Sequence, residues 1–258
     1  MTDRRAPIRA LLIDLEGTVF QHGVLIPGAA EALAETAARG VRHAFVTNAT
    51  SRPRSALVRE LSAMGLDVPP ERILTAPRAA GAYLAGRGFT RCHFLLRPEL
   101  SEDFPGIAAD EDSPQAVVLG DLGDAMTFER LNRAFRNLLG GAELVTLARN
   151  RYWLAGDGLT LDVGAFAAAL EYASGRKATL AGKPSPEFFE AARRVVGAAA
   201  AETAVVGDDL ESDVGGAQAA GMRGVLVRTG KFRDADLDSG ARSPDAVLDS
   251  IADLPALL

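Results

Sequence analysis

The chain has 258 residues, 48% hydrophobic and 24% charged, with 28 basic against 34 acidic side chains and a formal net charge of −6. That is enough chain for one large α/β domain, or for a core domain carrying a second domain as an insert. A chain that works on nucleic acid normally shows a basic stripe; the densest arginine cluster here, Arg52, Arg54 and Arg59, is spaced like one solvated helix face, so no nucleic-acid partner is expected.

The N-terminus, Met1 to Pro7, is polar and lacks the apolar core of a signal peptide. No apolar stretch reaches the ~18 residues needed to span a bilayer, so no membrane partner is expected. The run Ala10-Leu11-Leu12-Ile13 ends at Asp14 and suits a parallel strand buried on both faces. Pro27 and Gly28 introduce an alanine-rich helix that stops near Arg39-Gly40. His43 to Val46 reads as the next strand, ending at Thr47-Asn48, and a second helix runs from about Pro53 to Met64. Strand and helix alternating at this spacing predict a doubly wound parallel sheet, Rossmann-like in kind.

The middle of the chain reads as a second, smaller α/β unit. Strands are predicted at Arg91 to Leu96 and Gln115 to Leu119, with an acidic segment, Pro98 to Pro114, between them as a plain surface loop. Cys92 lies in the first of these strands. As the one cysteine it cannot form an internal disulfide, so it reads as a small buried hydrophobe in a cytoplasmic protein. A helix from about Thr127 to Leu139, strands at Glu143 to Leu147 and Arg151 to Leu154, a glycine-rich loop Gly156 to Gly164 and a helix to Ser174 complete the insert. A short strand, Ala178 to Ala181, follows, and the core pattern resumes at Lys183-Pro184-Ser185-Pro186: a helix Pro186 to Val196, a strand Thr203 to Val206 ending at Gly207-Asp208-Asp209, a helix Ser212 to Ala220, and a strand Gly224 to Val227. The tail, Ala246 to Leu258, adds a strand and a short helix. The expected division is a core domain over 1–78 and 181–258 with an α/β cap over 79–180.

Polar clusters follow the predicted parallel strands: Asp14, Thr47-Asn48, Asp208-Asp209, and Lys183 after the short strand. The carboxyl edge of an open α/β sheet is where ligands bind. One aspartate after a strand is most simply a helix cap, but four clusters in this order form one chemical set. Asp14 can act as a carboxylate nucleophile. Asp14 and Asp208 offer hard oxygen ligands for Mg²⁺. Thr47 and Asn48 can donate to phosphoryl oxygens beside a helix start, and Lys183 balances charge. Positioning, a metal and charge neutralisation are what phosphoryl transfer requires.

Asp14-Leu15-Glu16-Gly17-Thr18 resembles the first motif of the haloacid dehalogenase superfamily, usually Asp-x-Asp-Gly-Thr/Val. Val46-Thr47-Asn48 resembles the second motif, Gly182-Lys183-Pro184 the third, and Gly207 through Asp213 the fourth. The insert is similar to the large α/β cap of the NagD-type branch. Ala168 to Ala173 and Gly207 to Gly221 look closest to the phospholysine, phosphohistidine and inorganic pyrophosphate phosphatase group. The resemblance implies a Mg²⁺-dependent phosphatase acting on a small phosphorylated compound. Asp14 would form an aspartyl-phosphate, and Mg²⁺ would be held by Asp14, Asp208 and the main-chain carbonyl of Glu16. Thr47 would bind the phosphoryl group, Lys183 would bridge it to Asp14, and Asp213 would orient Lys183 or a metal water. Asp209 supports the site or caps the next helix, and a homodimer through the cap is among the arrangements implied.

One position departs from the pattern: the usual second aspartate, the general acid and base, is Glu16. Glutamate keeps the carboxyl but moves it outward by roughly 1.5 Å. Relatives in the group just named vary here, so the change reads as a lineage feature. The alternative is a non-catalytic phosphate-binding or interaction protein in which Glu16 marks reduced turnover; carbon–halogen cleavage has no need of the metal set. His22 reads as a solvent-exposed residue near the nucleophile, and His43 and His93 as structural. Asn150, Arg151, Tyr152 and Asp162 are candidates for substrate selection or plain surface-loop residues.

Overall fold

The apolar run Ala10–Asp14 is a strand with every residue buried. It pairs in parallel with Arg42–Thr47 on one side and Thr203–Gly207 on the other. Arg223–Val227 and Ala246–Leu248 continue the sheet in parallel, and Ile73–Thr75 forms the opposite edge. A strand flanked on both sides and covered on both faces must be apolar at successive positions rather than alternating. Leu11 and Ile13 accordingly join Phe45, Leu61, Val206 and Ile251 in one apolar cluster. The helix Pro186–Val196 packs on the same central strands and buries Phe188 and Phe189.

The computed structural model describes residues 6–155, 158–238 and 242–258. These fall into two units. The first takes in the described chain up to Thr47, then Ser55–Leu74 and Lys183–Leu258; the second takes in Asn48–Arg54 and Thr75–Gly182. The second unit holds its own parallel sheet, ordered Thr179–Leu180, Glu143–Thr146, Ala116–Leu119, Arg91–Leu95, Ala108–Ala109. Its central strand alternates between two clusters. Val118 packs with Ala80, Leu84 and Phe104 on one face; Val117 and Leu119 pack with Leu138, Leu144 and Leu170 on the other. Cys92 is fully buried there, and burial pushes its thiol up to about 11, which suits a packing residue and not a nucleophile. His93 is buried beside Asn137, its Nδ1 2.9 Å from the Asn137 Nδ2. Among the described residues no helix is long and apolar enough to cross a membrane.

Four local expectations are corrected. Pro98–Asp103 is a 3₁₀ helix and Ala108–Ala109 an edge strand, so the acidic segment is more than a loop. Within the expected glycine-rich loop, Gly158–Leu161 is a strand paired with Tyr152–Ala155; Gly156 and Asp157 lie outside the described residues. The helix expected at Ser212 opens as a wide π turn over Leu210–Gly215 before the short α-helix Gly216–Ala219. The wider turn follows from the Val214 N–H donating back five residues to the Asp209 carbonyl, while the Asp209 side chain caps Glu211 and Ser212. Finally, Thr179–Leu180 pairs with Glu143–Thr146 in the second sheet, so Lys183 is not carried by a strand of the sheet that holds Asp14.

Asp103 is the buried exception in the acidic segment, 3% exposed. Its carboxylate accepts the Arg54 N–H at 3.0 Å, and its carbonyl accepts from the Arg78 guanidinium at 3.3 Å. This bond, between residues 49 apart in sequence, ties Asn48–Arg54 into the second unit. Burial raises the Asp103 carboxyl above its ordinary 3.8, outweighing that N–H and the charges of Arg78 and Arg54. A carboxyl raised in the folded state contributes stability at low pH that is lost as pH rises through the folded value. Asp103→Asn keeps an acceptor for Arg54. Relative to the parent it should therefore gain stability as pH rises from about 4 to about 7, read by urea unfolding across that range.

Candidate active site

Asp14 ends the central strand, and the register Ile13↔Val206 sets the end of the neighbouring strand beside it. Asp208 follows that neighbour, so two carboxylates reach the same sheet edge. Lys183 is the first residue of the first unit's last segment, two residues before the helix cap at Ser185 and just ahead of Pro186–Val196. Its Nζ donates to Asp14 Oδ1 at 2.5 Å and to Asp213 Oδ1 at 2.6 Å. Thr18 Oγ1 donates to Asp14 Oδ2 at 3.4 Å, and the Lys231 N–H donates to Asp208 Oδ2 at 2.7 Å. Asp14, Asp208 and Asp213 are all buried, and each places a carboxylate oxygen within 4.8 Å of the others.

Backbone shape makes room for this crowding. Gly17 and Gly230 have φ of 86° and 61°, and a β-carbon at either would collide with the Asp208 carboxylate. Both demands, left-handed backbone and close approach, select glycine. Gly207 leaves equivalent space for the Asp213 carboxylate, which the π turn delivers.

The electrostatics follow from the charge count. Three buried carboxylates face one buried ammonium, a formal −3 + 1 = −2. Burial opposes the Lys183 charge, but Asp14 and Asp213 outweigh it and hold the ammonium well above its ordinary range. Burial pushes Asp208 up to about 6, helped by the Asp14 charge and opposed by the Lys231 N–H. Burial also pushes Asp213 up to about 7; Lys183 counteracts this, but Asp14 and Asp208 add to it. One ammonium cannot compensate three carboxylates. A compact divalent cation fits the deficit, and an all-oxygen donor set fits a hard one.

The remaining candidates divide. Thr47 is buried at the end of the strand beside Asp14. Asn48 is the first residue of the second unit, where its side-chain oxygen lies over Gly182 and leaves no space for a β-carbon. Asp209 is a helix cap: its Oδ1 accepts from Glu211 and Ser212, and these N–H groups hold the carboxyl below its usual range against the effect of burial. Glu16 is exposed, and its carboxylate accepts the His22 N–H at 3.3 Å. His22 is exposed in the two-residue turn of the hairpin Phe20–Gln21/Val24–Leu25; both turn residues, His22 and Gly23, have positive φ, the form that suits hairpin twist. In the second unit, Asn150, Arg151 and Tyr152 are exposed, and Asp162 caps the helix Val163–Ser174. Asp162 also lines a cleft of about 630 Å³ with Arg97, Asp121, Asp124, Thr160 and Phe166 among its walls.

Sequence reasoning did not single out Thr229, Gly230 and Lys231, which touch Gly17, Asp208 and Asp209. The available signal was the same as for Asp14: they follow a buried parallel strand, Arg223–Val227, at the carboxyl edge.

Two family models match the chain, one described as haloacid dehalogenase-like hydrolase over residues 11–105 and one as HAD-hydrolase-like over 180–254. The haloacid dehalogenase-like hydrolase domain-containing protein 2 of Bos taurus is 42% identical over 92% of this chain and 90% of its own. The phospholysine phosphohistidine inorganic pyrophosphate phosphatase of Homo sapiens is 36% identical over 99% and 96%. Among solved structures, 4-nitrophenylphosphatase from Thermotoga maritima superposes with a TM-score of 0.90 at 31% identity, over 96% of this chain and 97% of that one. NagD from E. coli gives 0.87 at 26%, over 96% and 98%. With likeness of this degree along nearly the whole length, the chain belongs to the haloacid dehalogenase-like hydrolases, as a phosphatase of their NagD-type branch.

Proposed function

We propose that this phosphatase is Mg²⁺-dependent and hydrolyses a small phosphorylated compound through an aspartyl-phosphate on Asp14. The observation that carries the reading is the buried Asp14–Lys183 pair, 2.5 Å apart, beside the carboxylate of Asp208. An Asp14 oxygen attacks phosphorus as the bond to the leaving oxygen breaks, and Glu16 gives that oxygen its proton. Glu16 then takes a proton from the water that attacks the aspartyl-phosphate, releasing phosphate and restoring Asp14. Lys183 and the Thr47 and Asn48 donors offset phosphoryl charge, and Asp213 keeps the Lys183 ammonium aimed at Asp14. Mg²⁺, when bound by Asp14, Asp208 and the Glu16 main-chain carbonyl, would neutralise carboxylate charge and polarise the phosphoryl oxygens.

In this reading the segment 79–180 is a mobile cap that selects the substrate, with Asn150, Arg151, Tyr152 and Asp162 as its contacts. A homodimer through the cap is one assembly compatible with it. The protein works in the cytoplasm on small molecules. The names of its relatives supply the first panel to test: 4-nitrophenyl phosphate, inorganic pyrophosphate, phospholysine and phosphohistidine.

Asp14→Asn should abolish hydrolysis of 4-nitrophenyl phosphate while the fold survives. Acid-quenched mass spectrometry of the parent should find a phosphoryl group on the Asp14 peptide, and retained turnover in the variant would exclude the covalent route. Chelator should remove activity and Mg²⁺ restore it, with Ca²⁺ a poor substitute because its larger, looser shell misplaces the nucleophile; full activity in chelator would exclude the metal. Glu16→Gln can still accept the His22 N–H and should slow turnover by about 10²–10⁴-fold, most for poor leaving groups. Glu16→Asp distinguishes a site adapted to glutamate, where the rate falls, from one that tolerates it, where the rate rises.

A further inference from the structure

Beyond the motif residues, the turn Thr229–Phe232 reaches two parts of the site at once. The turn is closed by the Phe232 N–H donating to the Thr229 carbonyl at 3.2 Å, with Gly230 at φ 61°. Thr229 Oγ1 donates to the Gly17 carbonyl at 2.5 Å, which fixes the loop leading away from Asp14. Two residues later the Lys231 N–H donates to Asp208 Oδ2 at 2.7 Å. Between them, Gly230 lies close to both Gly17 and the Asp208 carboxylate, where a side chain on either glycine would collide. Lys231 Nζ stands 3.5 Å from Asp209 Oδ2, on the residue beside Asp208.

We infer that Thr229–Gly230–Lys231 is a clamp that holds the Asp14 loop against Asp208, and so fixes the spacing of the two carboxylates. Asp14 and Asp208 each place a carboxylate oxygen within 4.8 Å of the other, so like charge tends to drive the two loops apart. Strand pairing ends at Ile13↔Val206, one residue short of Asp14 and two short of Asp208. The pairing of these two strands does not reach either carboxylate. The Thr229 hydroxyl and the Lys231 amide pull from the same turn, one on each loop. Thr229 is therefore a positioning residue: its hydroxyl bonds Gly17 and its turn presents the Lys231 N–H to Asp208, so it acts on the two carboxylates through these neighbours. The inference rests on the magnesium reading only in its consequence, which is that a clamped carboxylate pair is preorganised for a cation.

The test compares Thr229→Val, which removes the hydroxyl at near-constant volume, with Thr229→Ser, which keeps it; Thr229→Ala replaces the valine variant if that one does not fold. Calorimetric titration with MgCl₂ alone measures cation binding, and NMR hydrogen exchange measures the Lys231 amide in chelator. Loss of one hydrogen bond to a buried carbonyl should weaken Mg²⁺ binding by about tenfold and speed Lys231 exchange by a similar factor. Thr229→Ser should restore both to within about twofold. Unchanged Lys231 exchange in Thr229→Val, or equal losses in the serine variant, would overturn the clamp. If the parent binds no Mg²⁺ while Lys231 exchange still responds to the hydroxyl, the magnesium reading falls and the clamp stands.

Discussion

Lys183 carries its ammonium into a site where it is 4% exposed, and an unpaired ammonium there would cost several kcal/mol in lost hydration. It stays charged because Asp14 and Asp213 each accept one of its hydrogen bonds. The same pairing keeps the Asp14 carboxylate close to a fixed positive charge. Two further buried groups are constrained by this ion. Burial holds both carboxyls above a solvated aspartate: Asp213 despite Lys183 as its cationic partner, and Asp208 despite the Lys231 N–H and the more distant lysine charges. The site is thus short of positive charge by design of its geometry, and its remaining order comes from N–H donors: Lys231 to Asp208, Asp213 receiving from Asp209.

Such a cluster destabilises the fold, so the frame around it must supply the compensation. Each fully buried leucine, isoleucine or phenylalanine contributes about 1.5–3 kcal/mol. Leu11, Leu12, Ile13, Phe45, Phe188 and Phe189 are all 1% exposed or less, immediately beneath the edge that carries the charges. Parallel pairing on both sides fixes the direction in which the strand ends emerge. The apolar strands and the polar edge are therefore one device: burial along the strands supports tight, glycine-dependent loops at their carboxyl ends.

The second unit is organised by the same rule on a smaller scale, with helices over both faces of a parallel sheet and a polar cleft containing Arg97, Asp121 and Asp162. Its outline depends on a buried carboxyl, Asp103, that recruits Arg54 from a distant part of the chain. Glu143 plays a comparable part at the surface, receiving the Tyr83 hydroxyl and pairing with Arg87.

The parallel sheet, most of its strands along the chain and the candidate residues Asp14, Lys183, Asp208 and Asp213 were legible in the sequence. Uninterrupted apolar runs ending in acidic residues have few other uses, and local chemistry such as Ser185-Pro186 marks a helix start by itself. What the sequence could not supply were contacts between residues far apart along the chain. Asp103 looked like one more loop acid until Arg54 met it. Lys183 looked like one more residue following a strand of the Asp14 sheet, until Glu143–Thr146 claimed the strand Thr179–Leu180 before it. Gly17 stood in a motif and Gly230 was not singled out at all, although the two, 213 positions apart, flank a single carboxylate. Local pattern fixes which residues can form a strand or a cap, because propensity and periodicity act over a few residues. Only the packed chain decides which distant partner satisfies a buried charge, because that choice depends on distance and desolvation in three dimensions.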